Sequence, residues 1–383
     1  MHMFHDALVS FAERRVISMK IMYLLFSFTV GGTERLVVNI CNQMENQNEE
    51  VHLYIINDLI DDNLLDTLNE NIHVKLLRRK VGSKDKISPL FEVAKYINKN
   101  KIEVVHCNSF NAPELLILSK IVNPNCKVVS TIHGMGQFEN IGKNKILLKN
   151  WVCDKFIGIS NAVAGDIVAA GIDEKKVARV YNGIETKKYD CVKLKKYDEN
   201  VIVIGCVARI MPELKGQDIL LEAIKIVKKK HPKVMALFAG GVAESQQRDY
   251  EKLKKYVRDN SLEENVKFLG NVDNIPEFLN RIDICVVPSR SEGFGLALVE
   301  AMAMGVPCIA SNIAGPREIV MNEGIGELFE NGDSQSLSMM IEEVISNYQK
   351  IKKTTWNHKL KVRQNYSIEY MCSNLLEIYT ENK

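Results

Sequence analysis

Twice along this chain of 383 residues, short apolar runs rich in Val and Ile alternate with stretches of helical periodicity. Such alternation dictates βαβ units, which dictate parallel sheets with helices packed on both faces. The first series predicts strands near 20–28, 51–57, 72–77, 103–107, 127–132 and 156–159, and helices near 33–46, 88–99, 112–121, 141–150 and 161–170. Leu36, Val37, Ile40, Cys41 and Met44 supply the apolar stripe of the first helix. The second series predicts strands near 201–208, 234–240, 266–269, 283–287, 307–310 and 326–329. Its helices are expected near 216–230, 246–259, 275–280, 296–304 and 334–348, with a last one near 367–380. Between the series, Glu185 to Asn200 is mostly Lys, Asp, Glu and Tyr and reads as a linker. The chain thus divides into an extension (1–18), a first α/β domain (19–185), a linker (186–200), a second α/β domain (201–365) and a final helix (366–383) able to cross back to the first domain. Two doubly wound parallel-sheet domains facing each other bring the carboxyl ends of their strands to one cleft, where ligands bind.

Composition removes several classes. Fifty basic and 48 acidic residues leave a formal net charge of +2, which does not suit a general nucleic-acid binder. The nine cysteines are odd in number, lack C-x-x-C spacing and in several cases sit in apolar runs, so they read as buried free thiols in a reducing, cytoplasmic compartment. The eight histidines contain no H-x-x-x-H pair, so their spacing signals no zinc site. Arg14 and Arg15 precede an apolar stretch, Ile21 to Val30, in the manner of a signal peptide. That stretch runs into Gly31-Gly32 and an amphipathic helix instead of a cleavage site, and reads as a first buried strand. Two basic groups, one of Lys75, Arg78, Arg79, Lys80, Lys84 and Lys86, the other of Lys143, Lys145 and Lys149, are either solvated faces or a surface for lipid or acidic substrates.

The chain has no G-x-x-x-x-G-K-[ST] loop, no G-x-G-x-x-G fingerprint, no G-x-S-x-G elbow and no D-x-D pair to hold a divalent metal against phosphates. The expected metal ligands at any diphosphate site are therefore none, and cations with backbone N–H groups must neutralise the charge. Ser289 to Met304 supplies such a place: it follows the apolar run Ile284 to Val287 and holds the turn Gly293-Phe294-Gly295, then a helix opening at Leu296. Strand, glycine turn and helix N-terminus together favour phosphate. Glu292 before the turn and Glu300 eight positions later can each accept from two hydroxyls of a sugar or ribose. Arg209 and Lys215, after the first strand of the second domain, either converge on a doubly charged leaving group or are ordinary loop cations. Gly31-Gly32 either lets a ligand approach the backbone or makes a plain strand-to-helix turn. His133, in Thr131-Ile132-His133-Gly134, ends a strand where a substrate would arrive, or is a structural histidine; His106 reads as structural.

Taken in order, "GGTE" (31–34), "TIHG" (131–134), "GIS" (158–160), "YNGI" (181–184), "VARIMPELKG" (207–216), "VKFLGNV" (266–272) and "SEGFGLALVEAMAMGVPCIAS" (291–311) resemble the retaining glycosyltransferases of family 4. The resemblance runs from Lys20 onward and implies two facing Rossmann-like domains, the GT-B fold. It implies that Arg209 and Lys215 bind the diphosphate, that Glu292 contacts sugar hydroxyls and that Glu300 holds the ribose diol. The backbone from Gly293 through Phe294 and Gly295 to Leu296 would meet sugar and phosphate. Asn271 and Val272 would meet the base, His133 the reacting face of the sugar, and Gly31 and Gly32 the phosphate and acceptor. One departure stands out: many relatives have H-x-H where this chain has His106-Cys107-Asn108.

The expected activity is transfer of a sugar from a nucleotide-diphosphate donor, UDP first and GDP second, to a carbohydrate or lipid-linked glycan. Retention of configuration is expected, without a metal or other cofactor, at the inner face of the membrane. The competing readings are a nucleotide-sugar epimerase on the same fold and a non-catalytic nucleotide-sugar-binding subunit.

Overall fold

Residues 18–190 and 201–381 are described by the structure, a computed structural model. The expected extension up to residue 17, the linker from 191 to 200 (with Cys191) and the last two residues lie outside them. The first sheet holds β1 (Lys20–Leu25), β2 (Glu50–Asn57), β3 (His73–Arg79), β4 (Val104–Cys107), β5 (Lys127–Ile132), β6 (Lys155–Gly158) and β7 (Val177–Arg179). Their spatial order is β3-β2-β1-β4-β5-β6-β7. The second sheet holds β8 (Val203–Val207), β9 (Met235–Ala239), β10 (Val266–Gly270), β11 (Ile284–Val287), β12 (Cys308–Ser311) and β13 (Glu327–Phe329), in the order β10-β9-β8-β11-β12-β13. All pairings between these strands are parallel.

Central strands covered on both faces need no polar side, and β1 is apolar almost throughout. Its alternate residues serve two cores: Met22 and Leu24 pack with Val93, Ile97 and Leu116, whereas Ile21, Tyr23 and Leu25 pack with the helix Gly32–Asn46. The helix Ile368–Thr380 joins this second core through Met371, Cys372 and Leu375. Ile184 and Ser367 form a parallel bridge beside it, and Lys127 Nζ donates to the carbonyls of Ile378 (2.5 Å) and Glu381 (2.7 Å). The end of the chain is therefore built into the first domain's core.

Among the elements that depart from the sequence expectation are two helices and a strand. The helix Ala314–Glu323 carries Gly315 and Pro316 in its first turn; proline is tolerated there because first-turn N–H groups have no intrahelical partner. The helix Tyr348–Asn365 buries Tyr348, Thr355 and Val362, one residue every second turn, with Arg363 beside the last, a stripe too narrow to show as periodicity. Strand β7, three residues at a sheet edge, was not expected either. Lys149 corrects the basic surface: it is buried, donates to the Phe110 carbonyl (2.6 Å) and sits over the Phe110 ring. Its stem fills the core while its ammonium is satisfied locally. The eight described cysteines are buried and free, and among the described residues no helix is long and apolar enough to cross a membrane.

Candidate active site between the domains

Two loops at the carboxyl ends of the second sheet are stapled together. The loop after β8 ends in the short helix Pro212–Lys215, and Leu214 O accepts from Arg290 N (2.8 Å) and Ser291 N (3.3 Å). Arg290 grips Asp218 bidentately (2.7 and 2.7 Å) and donates to Pro212 O at 2.8 Å. Gly216 must be glycine: its φ is +64°, and a Cβ there would strike the Pro288 carbonyl. Buried Gln217 donates to Arg209 O at 2.8 Å and so fixes the loop that carries the guanidinium.

This scaffold places Lys215 Nζ 2.5 Å from Glu292 Oε2, with Ser289 Oγ at 3.5 Å from the same oxygen. Gly295, at φ +118°, turns the chain into the helix Leu296–Ala303, whose N-terminus carries no side-chain cap. An N-terminus without a side-chain cap suits an anionic ligand. Phe294 is buried against Tyr181, ring centroids 5.6 Å apart. Glu300, on this helix, accepts from Tyr189 Oη at 3.1 Å. Burial pushes its carboxyl up to about 7, against the Tyr189 hydrogen bond and the nearby charges of Arg35 and Lys188. Asn271 and Val272 follow β10; Asn271 lies against Gly241, where a Cβ would collide with its side chain.

The first domain supplies the opposing wall. A Cβ on Gly293 would lie 2.9 Å from His133 O and 3.1 Å from Gly134 Cα, so the two turns touch through backbone. His133 Nε2 lies 3.3 Å from Asn108 Oδ1, and burial lowers its pKa to about 4, so it is neutral near pH 7. His106 is buried between Tyr379 Oη (2.5 Å from Nδ1) and Thr131 Oγ1 (2.6 Å from Nε2), a structural placement. Asn108, standing where the second histidine of H-x-H is absent, therefore holds His133. Gly31 caps the helix Gly32–Asn46 in extended backbone, and the Glu34 carboxylate folds back over it. Burial raises the Glu34 pKa, opposed by the Arg209 charge reaching across from the second domain. Glu318 clasps the domains from the side: its two oxygens accept from Asn161 N (3.0 and 2.9 Å) and one accepts from Tyr181 Oη (2.6 Å).

Arg209, Lys215, Glu292, Gly293–Leu296 and Glu300 thus meet His133 and Gly31-Gly32 at one interface. Tyr189, Arg35, Arg290 and Glu318 were not singled out in the sequence, and Asn108 entered it only as the departure from H-x-H. Only Arg290 lies inside a recognised motif; the others reach their partners from distant segments.

Comparison with known proteins finds relatives for both halves of the chain. Residues 30–188 match the family model described as Glycosyltransferase Family 4, and residues 192–361 match that described as Glycosyl transferases group 1. The O-antigen biosynthesis glycosyltransferase WclY of Escherichia coli is 26% identical over 316 residues, covering 77% of this chain and 80% of that protein. The UDP-Gal:alpha-D-GlcNAc-diphosphoundecaprenol alpha-1,3-galactosyltransferase of Escherichia coli is 26% identical over 346 residues, covering 83% and 85%. The crystal structure of Anabaena Alr3699/HepE in complex with UDP superimposes with a TM-score of 0.80 at 22% identity, covering 94% and 99%, which establishes a shared fold.

Proposed function

The chain belongs to the group 1 and family 4 glycosyltransferases of GT-B fold, and from that premise we propose that it transfers a sugar from a UDP-sugar to a surface polysaccharide or its lipid-linked precursor, with retention and without a metal ion. The observation that carries the reading is the convergence of the Lys215 ammonium and the Glu292 carboxylate on an uncapped helix N-terminus that abuts His133. The named acceptor of the Escherichia coli galactosyltransferase and the UDP held by Alr3699/HepE support the choice of donor and acceptor class.

In this reading Arg209, Lys215 and the amides at Leu296 take the charge that develops on the departing diphosphate. Glu300 accepts from the ribose hydroxyls and Glu292 from those of the sugar. Neutral His133 faces the reacting carbon without adding positive charge beside an oxocarbenium-like centre. Leaving group and acceptor share one face of the sugar, so configuration is retained without a carboxylate nucleophile on the opposite face. The test is incubation of the purified chain with UDP-, GDP- and ADP-sugars and an undecaprenyl-diphosphate-linked acceptor, with and without excess chelator. The expected product is an α-linked glycoside from a UDP-α-sugar at an unchanged rate in chelator. An inverted product, a chelator-sensitive rate or exclusive use of another nucleotide would overturn the corresponding part.

The acceptor class also assigns the first domain's outer face. The helices Ser88–Asn100, Ile117–Val122 and Lys143–Val152 expose Phe91, Ile121, Leu147 and Trp151, and they also expose Lys95, Lys143 and Lys145. Aromatic and aliphatic side chains framed by lysine suit an anionic bilayer surface. Vesicles containing phosphatidylglycerol are expected to retain the chain at low salt and to lose it when Leu147 and Trp151 are both changed to Ser.

A further inference from the structure

At the opposite end of the first sheet from the donor site, the strand starts bring three metal-ligating side chains together. Glu50 and His52 stand two apart on β2 and so share one face; His73, the first residue of β3, is the direct cross-strand partner of His52. One ligand atom from each lies within 4.8 Å of the others. We propose that Glu50, His52 and His73 bind one divalent transition ion of the zinc class, at a site separate from catalysis.

Donor chemistry selects the ion. Two imidazoles and one carboxylate suit Zn²⁺, Co²⁺, Ni²⁺ or Cu²⁺, whereas Mg²⁺ and Ca²⁺ prefer oxygen throughout. Bond lengths of about 2.0–2.1 Å place neighbouring tetrahedral ligands about 3.3 Å apart. His52 Nε2 and Glu50 Oε1 already stand at 3.1 Å. His73 is exposed and can rotate inward, while backbone pairing in the sheet holds all three Cα positions.

The surroundings supply the orienting group that ligating histidines usually have. His52 Nδ1 lies 2.9 Å from Tyr96 Oη, and the two rings meet edge-on. Without an ion, Tyr96 can donate to Nδ1 while Nε2–H donates to Glu50. With an ion, Nδ1–H donates to Tyr96 and the Nε2 lone pair faces the metal. His52 is buried and His73 lies at the surface, so the position has one open side for a water ligand. Lys20 is the competitor: its ammonium lies 2.8 and 2.7 Å from the two Glu50 oxygens, and its side chain, 36% exposed, is free to swing into solvent when an ion arrives.

The histidine spacing gave no such signal because the two rings come from different strands, 21 residues apart in sequence (73 − 52). The test titrates the untagged, chelator-stripped full chain with Co²⁺, followed by its visible absorption, and with Zn²⁺ by calorimetry. One equivalent is expected. Affinity should fall at least about tenfold in His73→Ala and about 10–100-fold in Tyr96→Phe, the usual consequence of losing an orienting partner. Lys20→Met should bind more tightly than the parent chain. Glycosyl transfer should be unchanged in His73→Ala, whose exposed position leaves the fold intact. Absence of saturable uptake, or an isotherm in His73→Ala that matches the parent chain, overturns the site.

Discussion

Lys215 Nζ lies 2.5 Å from Glu292 Oε2, so the cation proposed to meet the diphosphate is already in contact with the carboxylate proposed to meet the sugar. The pair joins the loop after β8 to the turn after β11, two segments that Arg290 also ties together, while Gln217 holds the backbone at Arg209. Both side chains keep about a quarter of their surface open (27% and 22%), so sharing the ammonium with an incoming phosphate costs little.

Lys215→Ala should therefore affect chemistry far more than folding. Turnover at saturating donor is expected to fall by about 10²–10³ if the ammonium stabilises the departing diphosphate. Urea-unfolding stability should change by no more than about 1 kcal/mol, because the ion pair is partly exposed. Turnover equal to the parent enzyme would remove Lys215 from the leaving-group machinery.

Glu300 gives nucleotide binding a pH dependence of definite sign. Burial raises its carboxyl to about 7 in the free protein. Accepting from two ribose hydroxyls requires the carboxylate, so binding releases a proton and tightens as pH rises. With a pKa of about 7, roughly a tenth of the sites are competent at pH 6 and nine tenths at pH 8, which predicts about tenfold tighter UDP binding at pH 8. Calorimetry in buffers of differing ionisation enthalpy would read both the affinity and the proton. Glu300→Gln should bind weakly at both values, with no slope.

Much of this architecture was legible because its signals are local. Glu292, Gly293–Leu296 and Glu300 lie within one strand–turn–helix unit, and Arg209 and Lys215 lie within another. The strands were readable because β1, β2 and β5 are apolar runs buried on both faces. Legibility ended where a side chain finds its partner by tertiary packing. Tyr189 reaches Glu300 across 111 residues, Glu318 reaches Asn161 across 157, and the Asn108–His133 contact joins two strand ends. The helix Tyr348–Asn365 escaped for a related reason: Val362 and Arg363 are buried, yet most of its residues are polar. Arg363 is spent on holding the linker's start, donating to Tyr189 O (2.5 Å) and Asp190 Oδ1 (2.6 Å).

Gly293 tests how closely the domains must meet. A methyl group there would press on His133 O at 2.9 Å and Gly134 Cα at 3.1 Å, both backbone atoms that cannot swing away. Gly293→Ala should leave each domain folded and displace the turn from His133. A shift approaching 1 Å at a positioned site costs up to about 10²-fold, so kcat/KM should drop by about 10–10² with the urea midpoint nearly unchanged. A variant with parental kcat/KM would show that the turn does not rely on this contact.

Glu318 tests whether the domains are held in register by a single carboxylate. It sits at the N-terminus of the helix Asn161–Ala169, where free N–H groups and the helix dipole both favour an anion, and it also accepts from Tyr181 Oη. Asn322 donates to Tyr181 Oη (2.8 Å) and the Arg179 guanidinium stacks 4.0 Å above the ring, so the tyrosine is fixed from both domains. Loss of a cap of this kind costs about 0.5–2 kcal/mol, which here would come out of the closed arrangement. That cost lowers the closed-to-open ratio by about 2–30-fold and raises donor KM as the closed fraction falls, with kcat changed less. Glu318→Gln, which keeps an acceptor oxygen but loses the charge, should fall between the parent and Glu318→Ala. Small-angle scattering should show a larger radius of gyration for the alanine variant, contracting when UDP is added. Scattering and KM both matching the parent chain would mean that the interface holds without this carboxylate.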